Sequence, residues 1–439
     1  MSEIESETRA AGAQKLKTGE TMPAHWRWNF VANFLDISFF SLALAFASLT
    51  TIVPLFIREL GGSTLLVGLA PALVQLGWVL PPLFVAPYIG RLRRKLPYVL
   101  RMTLGERIPW VILALLTLWL GRERPGLVLG LSVILLATFG LSGGLAMPAW
   151  MDMVASTIPL RMRGKLFGWS GALGGFLGIG GGLLAERFLK HYPFPGNFVI
   201  CFAAAAICMA LSYAALFAIR EPEPEHSVST LTTREYMRRL PALLRGDRDF
   251  SAFLLARVMG LLGGMAVAFV TIYAAEQRGL PASLAGRYTA WMLGSQVITT
   301  PIWGALGDRH GHKGALQFGM LCAALAPALA LMVGTPIGFY AIFTLLGASG
   351  AILGTTTLNM VLEFAVPEER VTYIGLHGTL VAPATLIAPL AGGWLTEYVG
   401  FGALFVVAAL FSTLGLAILT FLVRDPRHRQ LTQSVDPAS

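Results

Sequence analysis

Charged residues are scarce in this chain of 439 residues. Asp, Glu, Lys and Arg together make up 13% of it, against about 25% in a typical soluble domain. Hydrophobic residues make up 55%, which is more apolar surface than a soluble fold can bury, whereas a bilayer solvates such surface directly. The composition therefore excludes an ordinary soluble protein and predicts an integral membrane protein.

Cysteine is scarce as well, and enzyme signatures are absent. Cys201, Cys208 and Cys322 lie in apolar runs whose spacing fits neither a disulfide framework nor a metal site, so we interpret them as small hydrophobic residues. The sequence has no His-Glu-x-x-His and no Gly-x-x-x-x-Gly-Lys-(Ser/Thr) motif. We therefore expect no metal, no cofactor, no enzymatic activity and no ATP-driven pumping.

Twelve apolar segments are long enough to cross a bilayer as helices, which takes about 20 residues each. The first begins near Asn29, and because the acidic N-terminus lacks the features of a signal peptide, we expect this segment to be retained. We number the segments as spans 1 to 12. They cover residues 29–57, 64–88, 98–120, 126–153, 165–187, 197–219, 250–275, 283–305, 313–334, 336–361, 372–397 and 402–423.

A polar linker divides these spans into six plus six. The predicted parts are a cytoplasmic tail, an N-terminal six-helix bundle, a cytoplasmic linker, a C-terminal six-helix bundle and a second cytoplasmic tail, at residues 1–28, 29–219, 220–249, 250–423 and 424–439. Lys and Arg are unevenly distributed: 23 of the 33 fall on the side that holds the two termini and the linker, and 7 on the other. Because cytoplasmic loops are rich in Lys and Arg, both termini are predicted to be cytoplasmic. The same distribution leaves no basic groove for nucleic acid.

The two halves resemble each other in sequence. At an offset of 218 positions, Gly61, Gly68, Arg91 and Lys95 coincide with Gly279, Gly286, Arg309 and Lys313. Near the ends of spans 5 and 11, Gly182-x-Leu184-x-Glu186 resembles Gly393-x-Leu395-x-Glu397. A duplicated six-span unit predicts a carrier with its substrate site near the midplane between the halves.

The loop after span 8 carries a recognisable motif. It reads Gly304-Ala305-Leu306-Gly307-Asp308-Arg309-His310-Gly311-His312-Lys313. In this loop the chain resembles the major facilitator superfamily, whose signature is Gly-x-Leu-x-Asp-Arg-x-Gly-x-(Lys/Arg), and the similarity extends over about residues 29–423. The copy after span 2, around Arg91 and Arg94, is degraded, with Gly90 where the acid belongs.

The resemblance implies an all-α integral membrane fold with twelve transmembrane helices in two pseudo-symmetric six-helix bundles. It also implies cytoplasmic gating loops, which in this chain would include Arg163 after span 4 and Arg370 after span 10. Gly304 is expected to allow close helix approach. Asp308 is expected to accept hydrogen bonds from Arg309 or from a neighbouring helix N-terminus, and so to latch the outward-facing state.

Ionisable residues within spans are costly and are candidates for function. Asp36 in span 1 is a candidate proton or cation site, and the alternative is a purely structural hydrogen-bonded acid. Glu106 and Arg107 fall near the middle of span 3, at adjacent helix positions that need not pair with each other. Either they bond a neighbouring span structurally, or one of them pairs with Asp36.

The second half offers fewer such charges. Arg257 in span 7 could bind an anionic substrate group or extend to the cytoplasmic surface. His377 in span 11 is either a titrating group or a packing residue. Asp152 and Glu363, at the inner ends of spans 4 and 10, are expected to be gate partners of Arg163 and Arg370.

Uncharged polar residues add possible hydrogen bonds to substrate or to other helices. They are Gln75, Gln296, Thr355, Thr356, Thr357 and Asn359. Span 5 carries Gly171-x3-Gly175, Gly174-x3-Gly178 and Gly178-x3-Gly182, which predict a close-packing face. By resemblance, span 5 would meet the other half and slide during rocking; plain helix packing is the alternative.

The resemblance thus implies a secondary active carrier of a small organic solute that works by alternating access. Proton coupling is expected, and the apolar, Met-, Phe- and Trp-rich spans favour efflux over uptake. A lipid or lysolipid flippase and a non-transporting membrane sensor or scaffold are the alternatives. We expect a monomer in the inner (plasma) membrane, with substrate, protons and lipid as its partners and no nucleic acid.

Overall fold

The computed structural model describes residues 23, 25–222, 247–365 and 370–425, and within these residues it contains helices and no strands. Two spans are composite. Span 1 comprises helices Trp26–Phe46 and Ile52–Glu59, and span 7 comprises Arg248–Gly263, a 3₁₀ turn Gly264–Phe269 and Val270–Glu276. Spans 2 to 6 are Thr64–Ile89, Leu96–Leu120, Pro125–Thr157, Leu160–His191 and Gly196–Phe217. Spans 8 to 12 are Leu284–His310, His312–Met332, Pro336–Phe364, Arg370–Tyr398 and Phe401–Phe421.

All twelve predicted spans are therefore helical in the described part of the chain, and eleven of them are long and apolar enough to cross a bilayer by composition alone. Span 8 is the exception. It carries Arg287 in its first turn and a polar stretch that includes Ser295 and Gln296. These residues are accommodated because span 8 packs against spans 5 and 10. For example, Ser295 donates a hydrogen bond of 2.7 Å to the carbonyl of Thr344 in span 10.

The prediction of a continuous span 1 over 29–57 was wrong, because the helix breaks between Phe46 and Ile52. The backbone N–H groups of Ile52 and Val53 both bond the carbonyl of Ser48, at 3.1 and 2.9 Å. The Ser48 and Thr50 hydroxyls bond each other at 3.2 Å. Short hydroxyl side chains compete with the helix for backbone hydrogen bonds, which explains a break at this polar sequence.

Span 7 is interrupted at the corresponding place. Two poor helix formers stand at this junction: Gly263 ends the first helix and Gly264 begins the 3₁₀ turn that ends at Phe269. Shifted by the repeat offset of 218, the break in span 1 falls on this turn. A mid-helix 3₁₀ segment often marks a hinge, so spans 1 and 7 each bend at one repeat-related position.

The spans pack in the same order in the two halves. In the first half, span 1 contacts spans 5 and 6, span 3 contacts spans 4 and 6, and span 2 contacts span 4. In the second half, span 7 contacts spans 11 and 12, span 9 contacts spans 10 and 12, and span 8 contacts span 10. The halves meet chiefly where span 5 packs on span 8 and span 2 on span 11. The predicted two-bundle fold is therefore confirmed.

The hydrophobic core shows which end of the molecule is closed. We call the end with the loops after spans 2, 4, 6, 8 and 10 the linker end, and the other the hairpin end. At the hairpin end one core cluster draws residues from both halves, such as Phe56 and Phe202 with Phe269 and Phe405. At the linker end, the clusters formed by described residues each belong to one half. The halves are thus joined at the hairpin end and separate at the linker end.

Candidate transport site and gate

A buried charge cluster lies between spans 1, 3 and 6. Asp36 is 5% exposed, and its Oδ1 accepts a hydrogen bond of 2.6 Å from the Ser212 hydroxyl. Arg107 Nη2 lies 3.3 Å from the same oxygen and donates to Ser212 Oγ at 3.0 Å. The hydroxyl of Ser212 thus donates to the acid and accepts from the base. The structure brings Arg107 together with Asp36, which is the pairing considered from the sequence.

Glu106 completes this cluster, which we call the span 1–3–6 cluster: Asp36, Glu106, Arg107 and Ser212. Arg107 Nη1 lies 2.5 Å from Glu106 Oε2. These adjacent residues, which the helix geometry does not require to pair, do pair here, because the long arginine side chain spans the roughly 100° between neighbouring helix positions. With two carboxylates and one guanidinium, the ionised cluster carries one excess negative charge.

The walls of the cluster are aromatic and closely packed. The Arg107 guanidinium lies 5.6 Å from the ring centre of Phe40 and 5.9 Å from that of Tyr213. A Cβ placed on Gly143 of span 4 would come within 2.6 Å of both Glu106 Oε1 and Trp78 Nε1. Water is therefore largely excluded, so the attraction within the cluster is stronger than it would be at a surface.

Arg257 of span 7 lies in very different surroundings. It is 7% exposed, and within the described residues its Nε and Nη1 have neither a hydrogen-bond partner nor access to solvent. The guanidinium therefore does not extend to the cytoplasmic surface, which was the second interpretation from the sequence. Nε2 of His377 in span 11 is also buried without a partner from the described chain. Arg257 is close enough to act electrostatically on His377, whose ring stacks on Phe253 at 6.2 Å.

Polar contacts join the two halves at the hairpin end. Arg58 at the end of span 1 bonds Glu276 at the end of span 7, with Nε 2.6 Å from Oε1. Glu186 of span 5 accepts from Arg287 Nε of span 8 at 2.7 Å.

Two further contacts complete this set. Glu397 of span 11 accepts from the backbone N–H and the hydroxyl of Thr64 in span 2, at 2.8 and 2.5 Å. Thr51 and Thr289 share a 2.5 Å hydrogen bond between spans 1 and 8. We call these residues the hairpin-end gate: Thr51, Arg58, Thr64, Glu186, Glu276, Arg287, Thr289 and Glu397.

The hairpin-end gate follows the internal repeat. Arg58 and Glu276 are separated by the repeat offset of 218 and meet across the pseudo-two-fold axis. Glu186 and Glu397 are the repeat-related acids, and each receives hydrogen bonds from the first turn of a span of the other half. The sequence interpretation noted the repeated acids but assigned gating to other loops. The opposite charges at positions 58 and 276 were the signal that it missed.

Glycines allow the close approach of the halves at this end. A Cβ on Gly68 of span 2 would clash with the carbonyl oxygen of Pro389 in span 11. Its repeat partner, Gly286 of span 8, would clash with the backbone of Glu186 and Gly182 in span 5. The predicted glycine face of span 5 is present too: Gly175 and Gly178 lie against Val297 and Leu293 of span 8, whereas Gly171 has open space beside it.

At the linker end, the predicted pairing of Asp152 with Arg163 was wrong. Asp152 lies 3.3 Å from Lys95 Nζ, because the loop after span 2 lies nearer to it than Arg163 does. Arg163 instead donates to the carbonyls of Ala155 and Ile158, which closes the end of span 4. Glu363 bonds His312 Nδ1 at 2.7 Å. The side chain of Arg370 lies outside those that the structure describes, so its pairing with Glu363 stays a prediction.

In the motif loop, Gly304 and Asn359 differ from what the sequence led us to expect. Gly304 has open space beside it, whereas Gly307 lies against the His312 ring, where its Cβ would come within 2.9 Å. Asn359 lies 3.2 Å from His312 Nε2 and so belongs to this loop cluster. Lys313 bonds the carbonyl of Thr420 at 3.2 Å.

The remaining candidates are dispersed. Arg91, Arg94, Arg309 and Gln75 are exposed, Gln296 is partly buried, and Gly311 has the positive φ of 94° that favours glycine. Thr355 and Thr357 bond their own helix backbone, and Thr356 is buried. The side chains of Asp308 and Arg370 lie outside those that the structure describes, as do residues 223–246 of the linker, so the proposed Asp308 latch stays a prediction.

Comparison with known proteins agrees with the fold. A family model described as Major Facilitator Superfamily matches residues 287–438. The multidrug resistance protein MdtG of Escherichia coli is 25% identical over 403 residues, which cover 88% of this chain and 92% of MdtG.

Solved structures of the same architecture also match. A structure of the nucleoside transporter NupG superposes with a TM-score of 0.71 at 13% identity, over 90% of this chain and all of NupG. The xylose transporter XylE from Escherichia coli superposes with a TM-score of 0.66 at 14% identity, over 92% of this chain and 99% of XylE.

The chain resembles the major facilitator superfamily in sequence over residues 287–438 and has the fold of its transporters. Like its superfamily relatives it is a secondary transporter and not an enzyme, and it is a multi-pass protein of the inner membrane. Among the described residues, the core cluster at the hairpin end joins the two halves, whereas each cluster at the linker end belongs to one half.

Proposed function

We propose that this transporter exports amphipathic organic solutes in exchange for protons, with Asp36 as the proton site. The observation that carries the proposal is the span 1–3–6 cluster, in which two buried carboxylates share one guanidinium. Two carboxylates this close favour binding of one proton, because both cannot be ionised cheaply in a poorly solvated site. The similarity to MdtG, a multidrug resistance protein, supports export over uptake.

The distribution of Lys and Arg supports a cytoplasmic linker end, with both termini and the linker on that side. Under this orientation the structure is inward-facing. Residues 29–219 and 250–423 are the two bodies that rock against each other. Closing the linker end then requires the hairpin-end gate to separate.

Span 1 links the proton site to the gate. It carries Asp36, the break after Phe46, and the gate residues Thr51 and Arg58. Protonation of Asp36 removes the charge that Arg107 of span 3 attracts, and so weakens the attachment of span 1 to span 3. A protonation that favours one arrangement of span 1 over another shifts the balance between the two end states.

Proton coupling can be tested in proteoliposomes with an imposed pH gradient and a panel of cationic, neutral and anionic amphipathic solutes. We expect solute-dependent proton flux in the wild type and a loss of at least about tenfold in Asp36→Asn, because a neutral amide cannot carry a proton. Asp152→Asn, which neutralises an acid at the linker end, is the matched control and should retain the flux.

Each other outcome would indicate a different proton site or a different function. Unchanged flux in Asp36→Asn would assign the proton to another residue. Exchange of labelled solute without proton flux would indicate uncoupled transport. Movement of labelled lipid alone would indicate a flippase, and no movement of any probe would favour a sensor or scaffold.

The gate can be tested by reversing the charges of its Arg58–Glu276 pair. Arg58→Glu places two acids at the contact and should open the hairpin end, while the double variant with Glu276→Arg should close it again. A partly exposed pair contributes ~1 kcal/mol or less, so we expect a shift of roughly fivefold in the ratio of open to closed molecules.

This shift is measurable as a distance between spin labels on Glu123→Cys and Val399→Cys, one in each half at this end. Arg124→Glu, a charge reversal in the same end of the molecule, serves as the control. Equal distance distributions in the single and the double variant would contradict a role for this pair.

A further inference from the structure

A buried positive charge in the second half has no counter-charge among the residues that the structure describes. Arg257 is nine residues from the start of its helix at Arg248, which is about 14 Å along the helix axis and near the middle of a bilayer about 30 Å thick. Its Nε and Nη1 have no partner among the described residues. A buried guanidinium without a counter-charge is unfavourable by several kcal/mol. A bound anion would compensate for this charge.

A second buried nitrogen without a described partner belongs to His377, on which Arg257 acts electrostatically. Nε2 of His377 is buried and has no partner from the described chain either, and it comes from span 11, a different helix. Arg257 and His377 thus provide buried nitrogens without a described partner from two different helices. Because the guanidinium has a planar fork of donors that matches a carboxylate, an organic acid is the chemistry that completes the site.

The charge balance restricts the ligand further. Arg257 is the single uncompensated cation of the site, so a monoanion neutralises it, whereas a dianion would leave one buried negative charge. The neighbouring side chains are aromatic: Phe253 stacks on His377 and lies 5.5 Å from Phe364. These rings favour an apolar or aromatic body attached to the acid.

We propose that Arg257 and His377 bind the carboxylate of a transported amphipathic monocarboxylic acid. The proposal rests on the transport function above and names the class of its substrate. Asp36 corresponds under the repeat to position 254, one helical turn from Arg257. The proton site of the first half and the anion site of the second half therefore occupy similar depths on repeat-related spans 1 and 7.

Binding can be measured on the purified full-length protein in detergent, without any gradient. The probes are benzoate, 1-naphthoate and octanoate, each paired with its uncharged amide, together with inorganic phosphate and hexyl phosphate. We expect at least one carboxylate to raise the melting temperature in a concentration-dependent manner, and its amide to bind at least about tenfold more weakly. Stabilisation by phosphates alone would reassign the site and overturn the carboxylate proposal.

Arg257→Met separates a binding role from a structural one. Because this change removes an uncompensated charge, it should raise the melting temperature of the ligand-free protein by about 2 °C or more while it weakens carboxylate binding at least tenfold. Arg101→Met, at an exposed arginine, should change neither quantity.

A lower melting temperature for ligand-free Arg257→Met would reveal a structural partner and overturn the proposal, as would carboxylates that stabilise the wild type no better than their amides. Absence of carboxylate binding in the wild type, with normal proton flux for other solutes, would overturn the carboxylate site and leave the proposed coupling intact. Unchanged flux in Asp36→Asn with normal carboxylate binding would do the reverse. The two proposals can thus fail separately.

Discussion

Replacing Arg107 with methionine should prevent stable folding of the first half. Arg107 is the sole cation of the span 1–3–6 cluster, and its Nη1 and Nη2 contact Glu106 and Asp36. Arg107→Met would leave two carboxylates buried together with no counter-charge. Breaking a buried pair from one side costs about 3–5 kcal/mol, which is a large fraction of the stability of a typical domain.

The decisive measurement is a comparison of single and combined variants. Melting temperature and monodispersity in detergent should fall sharply for Arg107→Met and recover in part when Asp36→Asn or Glu106→Gln is added, because the variant then buries fewer unpaired charges. Such non-additivity is expected only for residues that contact one another. Additive losses, or a single variant as stable as Arg101→Met, would show that the cluster does not hold spans 1, 3 and 6 together.

The spans could be predicted from sequence because a membrane helix is a local feature. About 20 apolar residues satisfy the bilayer whatever their neighbours are, and the repeat and the linker then divide the spans into halves. Even the least apolar helix, span 8, was found, because the motif at its end fixes its position. The breaks in spans 1 and 7 were missed because a single run of apolar residues contains both pieces of each span.

Side-chain partners could not be predicted with the same success. Glu106, Arg107 and Asp36 were singled out by their cost in a membrane, which depends on residue type alone. Their geometry depends on how spans 1, 3 and 6 pack, and span packing has no local signal. Asp152 was likewise assigned to Arg163 because both flank one loop, whereas the fold brings Lys95 of another loop to it.

The hairpin-end gate could be predicted from the sequence only in part. Its acids Glu186 and Glu397 were recorded as repeat matches, as were the nearby glycines Gly68 and Gly286. A repeat says which positions are equivalent but not which of them lie on the axis that relates the halves. Only the structure shows that both glycines sit at crossings of spans from opposite halves. A duplicated unit that closes on itself must place equivalent positions near its axis, so opposite charges at equivalent positions are a usable signal.

Filling the glycine crossings should hold the hairpin end open and stop transport. A side chain at Gly68 or Gly286 would meet backbone atoms of the other half, which cannot move aside as the end of a flexible side chain can. Overpacking a well-packed contact costs about 1–3 kcal/mol, and a clash with backbone lies at the upper end of that range. We therefore expect Gly68→Val and Gly286→Val each to shift the closed state by roughly hundredfold and to reduce transport to a similar degree.

The fold should survive these changes, because both crossings lie between the halves and leave the packing within each half intact. Spin labels on Glu123→Cys and Val399→Cys should report the long distance alone in both variants, with melting temperatures near that of the wild type. Gly171→Val on span 5, where the glycine has open space beside it, is the matched control and should transport normally. Because the two crossings are equivalent under the repeat, Gly68→Val and Gly286→Val should give the same distance distribution. A short distance that persists in either variant would mean that the hairpin end closes by a route other than these crossings.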